Sequence, residues 1–155
     1  MKKEDQNKPE ASFMYWGGLA KTLEDENPKA SRLCTYIGDF IQLASSGLMV
    51  GPGHALRQLY KECDVDLLDI ITICKFGAEK YGLNNYATTG SDIKRYVDAI
   101  GRHIIKHIKG EWGDEDTGAS HLTHIAANCL ILFELFYNEQ YTNTLTKYKD
   151  GWWTG

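Results

Sequence analysis

Four of the five histidines of this chain fall between His103 and His124, as two pairs: His103 with His107, four apart, and His121 with His124, three apart. On a helix, residues at these spacings share a face, so each pair projects one way and two facing helices would let the pairs converge. A neutral imidazole is a metal ligand and titrates near neutral pH, so the chemistry on offer is metal binding or general acid/base work. The same spacing also serves imidazoles that border a core and hydrogen-bond neighbours, and neither pair carries the HExxH arrangement.

Carboxylates form a second set. Glu62, Asp66 and Asp69 occupy one helical face, Glu79 comes near the end of the same stretch, and Asp98 lies on the next. Facing carboxylates are the oxygen donors Mg²⁺ prefers, above all where phosphate oxygens complete its octahedron. A solvated acidic stripe reads the same way in one dimension. Arg95 and Arg102 flank Asp98, either as a surface ion-pair ladder or as bidentate phosphate ligands steadied by the carboxylate. Lys75 and Lys80 add positive charge, and the segment KYGLNNYATTG, Lys80 to Gly90, offers amides, hydroxyls and an aromatic face for a base without the GK[ST] of a P-loop. No nucleophile elbow supports a Ser-His-Asp reading.

The elements that must position these groups read as helices. Leu33, Ile37, Phe40, Ile41, Leu43 and Ala44 recur at helical spacing after the Asn27-Pro28 break, and that helix should stop before Ser45-Ser46-Gly47. The stretch GLMVGPG, Gly47 to Gly53, reads as a loop. From about Ala55 to Tyr81 the residues Leu59, Cys63, Leu67, Ile70, Cys74, Ala78 and Tyr81 make one long core-facing stripe, stopped by Gly82. Ser91 and Asp92 can cap a helix running to about Lys109, with Ile93, Val97, Ile100, Ile104 and Ile108 on its apolar face. After the acidic loop EWGDEDTG, a last helix runs from Ser120 or His121 through about Glu139. No alternating strand pattern, repeat or low-complexity tract interrupts this order. The expected fold is all-α: an antiparallel bundle of about four helices, a single domain over 13–155, after a flexible polar tail over 1–12.

Composition narrows the partners. With 155 residues, 43% hydrophobic and 25% charged, the chain has the make-up of one globular domain. Lys+Arg 17 against Asp+Glu 21 leaves a net charge of -4, which gives no basic excess to attract a nucleic-acid backbone. Cys34, Cys63, Cys74 and Cys129 form no CxxC pair and read as reduced core residues. The N-terminal MKKEDQNKPE precedes no apolar secretory segment, and no apolar run approaches the roughly 20 residues of a bilayer span. The expected location is cytoplasmic, with no membrane partner.

Phe76-Gly77-Ala78-Glu79-Lys80-Tyr81-Gly82 with Asn85-Tyr86, then Arg95-Tyr96, Asp98-Ala99 and Arg102-His103, and later His121-Leu122, His124, Ala126-Ala127-Asn128 and the apolar Leu130 to Leu135, form an ordered set of motifs. Over about Asp66 to Leu135 the chain resembles the phage and prophage family named for the N-terminal domain of dATP/dGTP diphosphohydrolase. The resemblance implies an all-α, MazG-like nucleotide pyrophosphohydrolase that cleaves a purine dNTP to monophosphate and pyrophosphate, acts in the host cytoplasm and assembles as a homo-oligomer. It implies Mg²⁺, or Mn²⁺, on Asp69, Glu79 and Asp98. Lys80, Arg95 and Arg102 would neutralise phosphate, Asn85, Tyr86 and Asn128 would position base or sugar, and His103, His121 or His124 would act as base or further ligand. In place of the EExxE and ExxD of MazG proteins, the sequence offers those three carboxylates in the comparable helices. The rival expectation is a protein that binds a nucleotide or cyclic-nucleotide signal to counter a host defence, without turning it over.

Overall fold

A computed structural model of the chain describes residues 7–46, 50–82 and 93–136. Among them it is all-α, with no strand. A 3-10 turn at Ala11–Phe13 is followed by α1 (Trp16–Leu23), α2 (Pro28–Ser45), α3 (Val50–Cys63), α4 (Leu67–Tyr81), α5 (Ile93–Ile108) and α6 (His121–Phe136). Local chemistry explains most of the boundaries. Asn27 caps α2 by accepting the Ala30 N–H at 3.2 Å, and Pro28 takes the first helical position, where its missing N–H costs nothing. Gly82 ends α4 at φ 98°, and Gly110 follows α5 at φ 85°, conformations that a Cβ disfavours.

The structure revises the sequence reading in three places. The single stripe from Ala55 to Tyr81 is two helices: Asp64 takes φ 43°, and Asp66 starts α4 afresh by accepting the Leu68 N–H at 2.8 Å. The break turns the register, so Ile70 is buried while Leu67 and Cys74 are exposed, and Cys74 is not a core thiol. Helix α3 already begins at Val50, inside the stretch read as a loop, because Pro52 is tolerated in a first turn. Helix α1 adds an element whose two glycines obscure its pattern in the sequence. The expected caps Ser91 and Asp92, and the end of the last helix beyond Phe136, lie outside the described residues.

Helix α2 packs against α3, α3 against α6, α6 against α5, and α5 back against α2, so four helices enclose the core. Leu33, Ile37 and Phe40 of α2 meet Leu56 and Leu59 of α3, Val97, Ile100 and Ile104 of α5, and Ile125, Cys129 and Leu132 of α6 in one buried cluster. Helix α1 lies on α2, and α4 on α6.

The segment before α1 is fastened to α5. The Ser12 N–H donates to Asp98 Oδ1 at 2.8 Å, Arg102 Nη1 donates to the Pro9 carbonyl at 2.9 Å, and Trp16 Nε1 donates to the Ala11 carbonyl at 3.0 Å. A Cβ at Gly101 would stand 2.6 Å from Ala11 Cβ and 2.8 Å from Trp16 Cζ2, so only glycine lets the segment lie this close. The polar tail expected over 1–12 therefore includes placed residues: Ala11 and Ser12 are buried, and residues 1–6 lie outside the described set.

Candidate functional site

The apolar face of α5 is buried at Val97, Ile100 and Ile104, and His103, one residue before Ile104, sits at the edge of that face. Because α6 packs on α5, its first turn delivers His121 and His124 to the same place, both buried. His103 Nδ1 lies 2.8 Å from His121 Nδ1, and the His103 ring stacks on His124 with centroids 4.5 Å apart and planes at 13°. Three of the imidazoles singled out by spacing thus converge.

The connecting loop supplies a carboxylate. Asp114 Oδ2 accepts the Asp116 and Thr117 N–H groups, each at 3.1 Å, which folds the acidic loop into a turn around it. The Asp114 N–H donates to the Ala119 carbonyl and the Gly118 N–H to the Asp114 carbonyl, both at 2.8 Å, while Gly118 at φ 74° turns the chain back toward α6. The hydroxyl Thr117 Oγ1 is 2.7 Å from His124 Nε2 and 3.4 Å from Asp114 Oδ2, and accepts the Ala119 N–H at 3.2 Å. Its single proton serves either His124 or Asp114, so the His124 tautomer sets the direction of that relay.

Electrostatics keep the imidazoles neutral. Burial, then the neighbouring His124 and His121, push His103 down to about 3. Burial also lowers His121 and His124, partly offset by Asp114, and lowers His107, which Lys29 and His121 disfavour further. For Asp114, burial opposes ionisation, but His124, the Thr117 N–H, His103 and the Asp116 N–H outweigh it and hold the carboxyl below its ordinary value. The centre therefore presents unprotonated nitrogens around one carboxylate. Among the described residues, one group of three His, Cys, Asp or Glu side chains could hold a metal ion: His103, Asp114 and His121, whose ligand atoms lie within 4.8 Å of one another. The donor set fits such an ion, because two imidazoles kept neutral and one ionised carboxylate offer three lone pairs at that spacing.

The other described residues singled out from sequence do not join this three-residue group. Asp98 is buried, holding the Ser12 N–H and an ion pair with Lys94 at 3.0 Å. Asp69 is exposed in the first turn of α4, and Glu79, also exposed, lies 3.9 Å from Lys75. Lys80 Nζ stands 5.9 Å from the centroid of the Phe76 ring, and the Arg95 guanidinium 5.9 Å from that of Tyr96. Arg102 reaches Pro9, and Asn128 Nδ2 donates to the His124 carbonyl at 2.8 Å. Asn85 and Tyr86 lie outside the described residues.

The family model described as dATP/dGTP diphosphohydrolase, N-terminal, matches residues 59–144, more than half of the chain. The chain belongs to the dATP/dGTP diphosphohydrolase N-terminal family. The span shared with that family takes in α4, α5, the acidic loop and α6, hence every group of the imidazole centre; α1 and α2 lie before it. A dATP/dGTP diphosphohydrolase of Salmonella phage PMBT28 is 31% identical over 70 residues, 45% of this chain. Those residues make up only 23% of that relative, so the chain spans less than a quarter of its length. No solved structure matches the chain. Asp114 and Thr117 are the family-span residues that sequence reasoning missed; the signal for them was an Asp three residues before a Thr in a short Gly-bounded loop between two histidine-bearing helices.

Proposed function

We propose that this chain binds a purine deoxynucleoside triphosphate and hydrolyses its α–β phosphoanhydride, giving monophosphate and pyrophosphate, with a divalent cation such as Mg²⁺ or Mn²⁺. The observation that carries the reading is the convergence of His103, His121, His124 and Asp114 inside the span shared with the diphosphohydrolase family. A divalent cation there would polarise phosphate oxygens and lower the barrier to attack by water. In the reaction, water oxygen bonds to the α-phosphorus, the bond to the bridging oxygen breaks, pyrophosphate leaves with the electron pair, and the water proton passes to an imidazole.

Among the three imidazoles, His124 suits the proton acceptor. His103, held near 3, is too weak a base for work near neutral pH and better serves as a lone-pair ligand. The Thr117 hydroxyl orients His124, and the stacked His103 ring restricts its rotation. Asp98 and Glu79 already engage Lys94 and Lys75, so the reading places the cation at the histidine centre rather than on Asp69, Glu79 and Asp98. Lys80, Arg95 and Arg102 remain the candidates for neutralising phosphate, and Asn85, Tyr86 and Asn128 for base or sugar. A homo-oligomer and a cytoplasmic setting belong to the same reading; no helix among the described residues is long and apolar enough to cross a membrane.

The rival reading is capture of a nucleotide signal without turnover, for which the same imidazoles, cations and asparagines would serve. One experiment separates the two. The protein is incubated with purine nucleotides and Mg²⁺, Mn²⁺ or EDTA, denatured, and the released nucleotides are chromatographed. Monophosphate with equimolar pyrophosphate supports hydrolysis, whereas stoichiometric recovery of intact nucleotide from the protein overturns it in favour of capture.

A further inference from the structure

The nitrogen content of the centre has a consequence for the ion it takes. Mg²⁺ prefers near-octahedral oxygen and keeps its waters, whereas imidazole nitrogen suits the first-row transition ions, and two histidines with one carboxylate are a recurrent set for them. We propose that His103, Asp114 and His121 form a resident site for a first-row transition ion such as Mn²⁺, Fe²⁺, Co²⁺ or Zn²⁺, selective against Mg²⁺, with Thr117 as the positioning residue for the carboxylate. The proposal rests on the hydrolase reading in taking this centre for the reactive one; any Mg²⁺ would then arrive on the phosphates of the substrate.

Three observations support it. Two nitrogens each about 2.1 Å from a shared cation stand about 3 Å apart in cis octahedral positions. The His103 and His121 Nδ1 atoms are 2.8 Å apart, so an ion could replace the proton between them with a shift of a few tenths of an ångström. Second, one ligand atom from each of His103, Asp114 and His121 lies within 4.8 Å of the others, close enough for a single ion to take all three. Third, the carboxylate is built in advance: Asp114 Oδ2 is held by the Asp116 and Thr117 N–H groups and approached by the Thr117 hydroxyl, the outer contacts that orient a ligating carboxylate.

The test uses the full chain, free of tags and stripped with EDTA, and reads metal binding by the visible absorption of Co²⁺. The expected result is saturation near one Co²⁺ per chain, with bands intensified by nitrogen ligation, displaced by stoichiometric Zn²⁺ and unaffected by a thousandfold excess of Mg²⁺. Asp114→Asn should weaken Co²⁺ binding by at least tenfold, Thr117→Val by about tenfold, and His54→Ala, on α3, not at all. Absence of bands in the wild type, displacement by Mg²⁺, or loss of the bands in H54A would each overturn the site. Nucleotide turnover is measured on the same samples. Turnover by the stripped protein with Mg²⁺ alone overturns the transition-ion site and leaves the hydrolase reading standing; tight Co²⁺ binding without turnover under any metal does the reverse.

Discussion

His103 and His121 meet nitrogen to nitrogen. Their Nδ1 atoms lie 2.8 Å apart, with ring centroids separated by 5.1 Å and planes tilted by 38°, so one nitrogen donates and the other must keep its lone pair. Burial is the main reason the pair resists charging, and a second proton would add the cost of setting two donors face to face.

That resistance ties stability to pH. The folded values of His103, His121 and His124 lie below the ordinary 6.5, that of His103 at about 3, so between these limits the unfolded chain binds protons that the native chain refuses. The associated stability is complete above about pH 6.5 and is lost as pH falls toward 3, by about 1.4 kcal/mol per pH unit for each imidazole kept neutral. Urea denaturation of metal-free protein should therefore show a midpoint that falls from pH 7.5 to pH 5, with a shallower fall in His103→Asn. An equal midpoint at both pH values would rule this coupling out.

Replacing His124 with glutamine keeps the volume and a hydrogen-bonding group near Thr117 but removes the proton acceptor of the proposed hydrolysis. Turnover of the purine dNTP should drop by about 10²–10⁴-fold, the contribution of a positioned general base. The melting temperature should change little. Turnover within threefold of wild type would remove His124 from the mechanism.

Gly101→Ala tests the fastening of the N-terminal segment. The new methyl would meet Ala11 Cβ at 2.6 Å and Trp16 Cζ2 at 2.8 Å, and an indole buried between α2 and α5 cannot simply swing away. Overpacking of this kind costs about 1–3 kcal/mol. Thermal unfolding should register that loss, together with greater cleavage by protease before Trp16; an unchanged melting temperature would show that the segment does not need this contact.

Asn27→Ala removes the side chain that accepts the Ala30 N–H at the start of α2. A loss of about 1 kcal/mol in equilibrium unfolding is expected, and Asn27→Asp should restore it, since aspartate caps equally well. If aspartate fares no better than alanine, the capping bond is not what Asn27 contributes.

Several parts of this architecture were legible before any coordinate. The stripes of α2, α5 and α6 repeat at helical spacing without interruption, and α2 announces its start with Asn-Pro. The stretch from Ala55 to Tyr81 misled because its apolar period runs on through a break made by the backbone: Asp64 in a left-handed conformation and Asp66 as a new cap. Hydrophobic spacing reports which residues want a core, and it is silent about a turn that resets their direction. Helix α1 escaped notice because Gly17 and Gly18 weaken its local propensity, and Trp16, buried against Gly38 and Gly101, supplies the tertiary packing that compensates.

The site divides along the same line. Residue spacing alone put His121 and His124 on one helical face and His103 on another, because three- and four-residue periods are properties of a single helix. Which carboxylate joins them depended on two helices packing and on a loop folding around its own aspartate. Asp98, four residues from Arg102 and on the same helix as His103, was the nearer choice in sequence, yet its oxygens hold Ser12 and Lys94. Asp114 reads in sequence as one charge among several in an acidic loop, and only the turn closed by Thr117 and Gly118 carries it to the imidazoles. Local periodicity is written into the chain because it depends on near neighbours; the meeting of side chains from separate elements is settled by packing and loop geometry, which no single segment encodes.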